Sequence, residues 1–355
     1  MSTSKSINAN SGFSIRQTNI AKGIACILLL IHHLFYSPKS YDDFTSLCLI
    51  GDVPLESIFA VMCKVCVAIF LLLSGYGVNE SINHKLKSTN LNSASVITRK
   101  SLRLLWKLWA NFAFIFIIFV PWQFLTRNPY SSVSDFAADA LGLADLLNTP
   151  TMNKTWWYIS LALLSYLAVL FYKPILNKYR GLAFVIAGIF FVLYIVLGDN
   201  LFLCYIFMFG MQASEIGIMN RLTKRKAKRI YKWIMCLSLV AITAILRYIV
   251  PAWMDMLFAF SIILFSYVCI SEVKFLSNTL ELIGKHSANI FMFHSFIYVY
   301  NFKEIVYAPK YAPLISIAFV IECLIISIAI EYIKKITFAE RGINFIGNLI
   351  EGKKS

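Results

Sequence analysis

The chain is 355 residues long, 59% of them hydrophobic and only 14% charged, with a formal net charge of +15 and a mean hydropathy of +0.70. A soluble globular protein carries about a quarter of its residues as charges. This composition therefore excludes a soluble enzyme or binding module and predicts an all-α, polytopic membrane helix bundle. The first apolar run begins near Ile20, no small-residue cleavage site follows it, and further apolar runs come after it, so it reads as a true span and not a signal peptide.

Apolar runs of about 20 residues predict ten spans, near 20–36, 57–77, 104–121, 156–172, 181–197, 200–219, 230–250, 252–271, 288–301 and 312–333. Span one contains "AKGIACILLLIHHLFY", with Lys22 at one end and the pair His32 and His33 at the other. An ionisable group at membrane depth costs roughly 2.5–3.5 kcal/mol on insertion scales, so each is a functional candidate. Lys22 and His33 are 11 residues apart, which puts them on nearly one helix face, roughly 16 Å apart along the axis. His32 lies about 100° away and reads as a hydrogen-bonded histidine near the lipid interface. His33 reads as the functional imidazole, because an unperturbed pKa near neutrality lets it take and return a proton.

Span two carries Lys64, at a depth similar to His33, and a Ser74-Gly75 pair that suits close helix packing. Its Cys63-x-x-Cys66 lacks a second pair, so packing thiols are expected there, with no metal site and no disulfide framework. The polar loop 78–103 ends in the basic run "TRKSLRLLWK". The loop 122–155 carries Asp135, Asp139 and Asp145 and reads as one amphipathic helix between turns. Loops of this length usually carry function or cover a site. Trp156, Trp157 and Tyr158 head span four, where aromatic residues either stack on a sugar or form the interfacial belt. Further along, Glu215, Glu322 and Glu331 can offset membrane cations, and His294 sits midway along the short ninth span.

With the N-terminus inside, the cytoplasmic segments hold 24 Lys and Arg against five acids, and the outer segments six against ten. That asymmetry is the positive-inside pattern and predicts both termini in the cytoplasm. It also accounts for the net charge, so no nucleic-acid partner is called for. The basic loop "NRLTKRKAKR" reads as a topology anchor that can also touch anionic lipid. Residues 1–355 are expected to form a single membrane domain with short cytoplasmic tails, about 1–19 and 336–355.

Five stretches then carry a resemblance. "KGIACILLLIHH" resembles the first-span motif of acyltransferase family 3, a basic residue followed 11 positions later by histidine. "VAIFLLLSGYGV" resembles the family's second-span run ending in Ser-Gly-aromatic, and "TRKSLRLLWKLW" the basic cluster that opens its third span. "TWWYISLALLSYL" is similar to its Trp-rich fourth, and "LIGKHSANIFMFHSF" to its late Gly-x-x-Ser…His segment. The five occur in the family's order and cover most of the chain. Two departures replace Arg by Lys, at Lys22 and at Lys100 of the Lys100–Arg103 pair. Lysine lacks the bidentate guanidinium fork, which bears on donor geometry more than on reaction class.

The resemblance implies a membrane O-acyltransferase of the plasma (inner) membrane. It would move an acyl group, usually acetyl, from cytoplasmic acyl-CoA as co-substrate to a hydroxyl of an envelope or lipid-linked glycan, with no permanently bound cofactor. On that reading His33 is the catalytic base, acting on the acceptor hydroxyl or on a shuttled acyl group. Lys22, Arg99, Lys100 and Arg103 would hold the donor phosphates, and Lys64 is a candidate donor to developing oxyanion charge. Ser74, Trp156, Tyr158 and His294 are further site candidates. The competing class is a transporter or flippase for a sugar, anion or lipid-linked glycan; the absence of repeat symmetry and of Pro/Gly-broken helix pairs in the sequence counts against it. A non-enzymatic scaffold or receptor fits the buried ionisable groups least well.

Overall fold

The computed structural model describes residues 13–223 and 228–352. The tail bearing Lys5, the loop cations Lys224, Arg225 and Lys226, and Lys353 and Lys354 lie outside the described residues. The chain is helical almost throughout. Its first half comprises α1 (Ile15–Phe35), α2 (Leu55–Met62), α3 (Cys66–Lys87), α4 (Ser93–Phe124), α5 (Val133–Ala140), α6 (Trp157–Lys178) and α7 (Arg180–Leu197). The second half comprises α8 (Cys204–Glu215), α9 (Ile218–Thr223), α10 (Arg229–Ile249), α11 (Pro251–Val268), α12 (Lys274–Ser295), α13 (Lys303–Tyr307), α14 (Ala312–Ile336) and α15 (Ala339–Glu351). A two-stranded antiparallel hairpin, Leu49–Ile50 with Val53–Pro54, lies between α1 and α2.

Among the described residues eight helices are long and apolar enough to cross a membrane, so the chain is an all-α polytopic bundle. The expected sixth and ninth spans are the two that differ. The sixth is α8, which is only 12 residues long. The ninth starts earlier than expected, at Lys274, and continues from α12 into a π-helical turn over Phe296–Asn301. Polar residues lower its hydropathy, and both elements are largely buried against other helices, where polar groups find partners that lipid cannot supply. α4 also begins before the expected span: at 32 residues it is about 48 Å long, so its basic first turns project beyond a hydrocarbon core of about 30 Å.

The start of α1 is set by a capping box. The Ser14 hydroxyl accepts from the Gln17 amide at 3.3 Å, and the Ser14 amide donates to the Gln17 side chain at 2.7 Å. Glycines then decide the central packing. A Cβ on Gly23 would lie 2.1 Å from the Leu280 carbonyl oxygen, and one on Gly284 would lie 1.8 Å from that of Asn19. α1 and α12 therefore cross in backbone contact and run parallel, Gly23 against Gly284 at one level and His33 against His294 at another. α3 and α8 repeat the device, with Gly75 1.9 Å from the Phe207 carbonyl and Gly210 2.2 Å from that of Leu72 by the same measure. Small residues at crossings let membrane helices gain van der Waals contact where lipid gives no hydrophobic drive.

α7 and α10 sit at the periphery and bury few side chains, whereas α1, α3, α8 and α12 form the centre. Two of the three membrane-depth glutamates anticipated from the sequence have partners. Glu215 takes Lys173 at 2.9 Å and Arg180 at 3.4 Å, while Glu331 takes Lys334 at 2.8 Å. The eight cysteines are free thiols, and only Cys48 is exposed. The loop after α4 contains one short helix, α5, as expected. Asp135 and Asp139 are spent on the loop itself: Asp135 completes the Ser132 capping box, and Asp139 accepts from Tyr130 (2.6 Å), Thr151 (2.8 Å) and the Met152 amide (2.7 Å). Burial raises the Asp139 carboxyl above its ordinary range against the pull of these bonds.

Candidate active site

α1 ends, and α6 and α11 begin, around one cavity of about 590 Å³. His32, His33 and Tyr36 come from α1, Lys64 from the 3₁₀ turn Cys63–Val65 that joins α2 to α3, and Arg247 from the last turn of α10. Trp157, Thr155, Asn200 and Phe291 complete the wall used below. The 3₁₀ turn matters because it breaks one long apolar helix, Leu55–Lys87, and leaves Lys64 exposed to the opening. A second opening, about 630 Å³, is an apolar groove lined by Ile27, Ile31, Phe59, Ile317 and Val320. Its one carboxylate, Glu56, is held by Ser46 and the Leu47 amide, so the first cavity, with its imidazoles and cations, is the candidate site.

Three imidazoles meet there. The rings of His32 and His33 are 5.1 Å apart, and those of His33 and His294 are 4.9 Å apart. Nδ1 of His294 donates to the carbonyls of Ile290 (3.0 Å) and Phe291 (2.9 Å), which keeps the proton on Nδ1 and leaves Nε2 as the lone-pair nitrogen. His294 is fully buried behind His33 and stacks on Tyr298 where α12 passes into its π turn. Nδ1 of His32 likewise donates to the Ala60 carbonyl at 2.8 Å, and its ring stacks on Tyr36. His33 differs from both: it is half-buried and forms no hydrogen bond among the described residues. Both of its nitrogens are open to a ligand. No group of three His, Cys, Asp or Glu among the described residues is arranged to hold a metal ion.

The structure thus brings His33, Lys64 and His294 together, and His32, hydrogen-bonded as expected, also lines the same cavity. Tyr158 packs on Phe291, and its phenol and that of Tyr166 both meet the Ser74 hydroxyl, so Ser74 and Tyr158 form a layer under the cavity wall. Trp156 takes neither of the positions expected for it, stacked on a sugar or in an interfacial belt. It is buried in the core with its indole N–H donating to the Met292 carbonyl at 2.8 Å, and the neighbouring Trp157 lines the cavity. The reason is the short 3₁₀ turn Lys154–Trp156, which turns Trp156 inward before α6 begins.

Arg247 and Asp255 are the site residues that sequence reasoning passed over as outer-loop charges. They face each other at 2.5 Å across the tight Val250 connection between α10 and α11. Their signal is present in the sequence: opposite charges eight residues apart, flanking Pro251, in an otherwise apolar stretch. Arg247 is 4% exposed and also reaches the Val61 carbonyl and the Met62 sulfur, both at 3.4 Å, which ties the α10–α11 hairpin to the cavity rim.

The basic residues expected to hold a donor lie elsewhere. Lys22 is half-buried on α1 and has no hydrogen bond or ion pair among the described residues. Arg99, Lys100 and Arg103 sit on the first turns of α4 beneath α15. Lys100 is 3.6 Å from Glu351, Arg103 is ion-paired to the same carboxylate, and Arg99 lies over Gly352. The Trp106 indole fastens α15 by donating to the Ile343 carbonyl at 3.0 Å.

These features define the class: an integral-membrane helix bundle with imidazoles and cations gathered at a cavity between its helices. The sequence model of acyltransferase family 3, described as an acyltransferase domain, matches residues 15–332. The chain therefore belongs to that family and is a membrane acyltransferase. No curated protein and no solved structure matches it significantly. α15 and Glu351 lie beyond the matched residues.

Proposed function

We propose that the chain transfers an acyl group, acetyl, from acyl-CoA to a hydroxyl of a glycan presented at the histidine cavity. The single observation that carries this reading is His33, an unbonded imidazole lining a cavity of about 590 Å³, backed by a second imidazole whose tautomer is fixed. His33 takes the proton of the acceptor hydroxyl as the oxygen attacks the thioester carbonyl. The tetrahedral intermediate then expels the CoA thiolate, which recovers a proton from the imidazolium, so the products are an ester and the free thiol.

The donor enters, on this reading, from the end of the bundle that carries the basic helix termini, which is the cytoplasmic side of a plasma membrane with both chain termini on that side. Support comes from the positive-inside asymmetry of the loops and from Lys22, an ammonium with no internal partner roughly 16 Å below His33 along α1. Lys100 and Arg103 would join it by exchanging Glu351 for phosphate. Cells making wild-type protein and His33→Ala at equal membrane abundance are compared for ester content of their envelope glycan. The wild type is expected to raise ester content and the variant to give none above background. Equal ester content in the two would remove His33 from the chemistry.

A further inference from the structure

Lys64 has no assigned task in that mechanism beyond a candidate contact to the oxyanion, and its surroundings argue for a different one. It lies at membrane depth on a 3₁₀ turn, exposed to the cavity, with no hydrogen bond or ion pair among the described residues. The other cation of the wall, Arg247, is already balanced by Asp255 at 2.5 Å. Asp199, beside the cavity residue Asn200, is exposed and outside the lining, where it caps a 3₁₀ turn by accepting from the Leu201 amide at 2.8 Å. Asp255 also lies within electrostatic reach of Lys64, so one carboxylate faces two cations and the wall keeps a net single positive charge, with Lys64 the cation that has no direct partner among the described residues.

Position separates that charge from the reacting atoms. His32 is the imidazole whose electrostatic neighbours are Lys64 and Arg247, whereas the charged neighbours of His33 are His294 and His32. His32 thus stands between the cationic wall and the proposed base. His33 and Lys64 line one cavity with His32 beside them, so a hydroxyl poised on His33 leaves the ammonium to meet another part of the acceptor.

We propose that Lys64 selects the acceptor by charge: the cavity takes an acidic glycan whose carboxylate sits against Lys64 while a neighbouring hydroxyl reaches His33. This rests on the glycan-transfer reading and adds the chemical class of the acceptor to it. A net single positive charge matches a monoanion, and a charge pair of this kind discriminates by roughly tenfold or more.

The test uses full-length protein in nanodiscs at low salt and one pair of probes, hyaluronan tetrasaccharide and the same tetrasaccharide with its carboxylates methyl-esterified. Wild type is expected to bind the charged form about tenfold tighter than the ester. Lys64→Gln should bring that ratio close to one, Lys64→Arg should keep it, and Lys64→Glu should invert it. Equal affinity of wild type for the two probes, failure to bind either, or a ratio that persists in Lys64→Gln would overturn the proposal. If Lys64→Gln does not fold, the Arg and Glu variants decide it by keeping or inverting the ratio. Adding acetyl-CoA separates the two readings. Charge-selective binding without ester formation counts against transfer to this acceptor and leaves the role of Lys64 standing. Esters on both probes, slowed equally by Lys64→Gln, would make Lys64 an oxyanion donor and defeat the assignment.

Discussion

The histidine cavity and the basic end of the bundle are built from the same material, cations and imidazoles on apolar helices, yet they treat them in opposite ways. At the cavity, His32 and His294 are tied down by backbone carbonyls, and His33 between them is left without a bond. At the basic end, Lys100 and Arg103 face Glu351, and α15 is fastened over them by Trp106. Buried polar groups are normally satisfied. An open imidazole between two fixed ones leaves its nitrogens free to meet a ligand, whereas Lys100 and Arg103 already face a carboxylate of the chain's own and would have to release it first.

The largest expected effect that tests this contrast is on the open imidazole. His33→Ala should lower acyl transfer about 10²–10⁴-fold, with expression and thermal unfolding of the detergent-solubilised protein unchanged; a loss below tenfold would place the proton transfer elsewhere. Next comes the pair that fixes the cavity rim. Asp255→Ala strands the 4% exposed guanidinium of Arg247 and should cost about 3–5 kcal/mol of stability, visible as a lowered unfolding temperature that Arg247→Met in the same chain partly restores. At the basic end smaller, opposite changes are expected: Arg103→Ala should raise the KM for acyl-CoA about tenfold, and Glu351→Gln should lower it a few-fold. KM values that move together, or not at all, would mean that the α4–α15 contact is a structural latch with no part in donor binding. The smallest effect is assigned to His32→Ala, a few-fold loss, because its Nδ1 is committed to the Ala60 carbonyl.

What could be read from the chain alone followed from two simple signals. Long apolar runs and asymmetric loop charge carry the helix bundle, because lipid-facing helices such as α7 and α10 must be apolar along their length. α8 and α12 obey a different rule: they are enclosed by other helices, so one is short and the other polar, and hydropathy misjudges both. In the site, the 11-residue spacing of Lys22 and His33 was legible because both lie on one helix. Contacts set by tertiary packing were not. Nothing local announces that His294 stands behind His33, that Glu351 meets Arg103 some 250 residues away, or that a 3₁₀ turn hands the cavity Trp157 in place of Trp156. The Arg247–Asp255 pair lay between these cases: its residues are eight apart, but only the α10–α11 hairpin turns them toward each other.

The contrast between the two ends makes a claim about sidedness that one measurement reaches directly. Sealed vesicles of known orientation are loaded with acceptor glycan on the side of the histidine cavity, and labelled acetyl-CoA is supplied on one side at a time. Ester formation only when acetyl-CoA meets the basic end is the predicted result. Esters formed only when donor and acceptor are both supplied at the cavity side would contradict it.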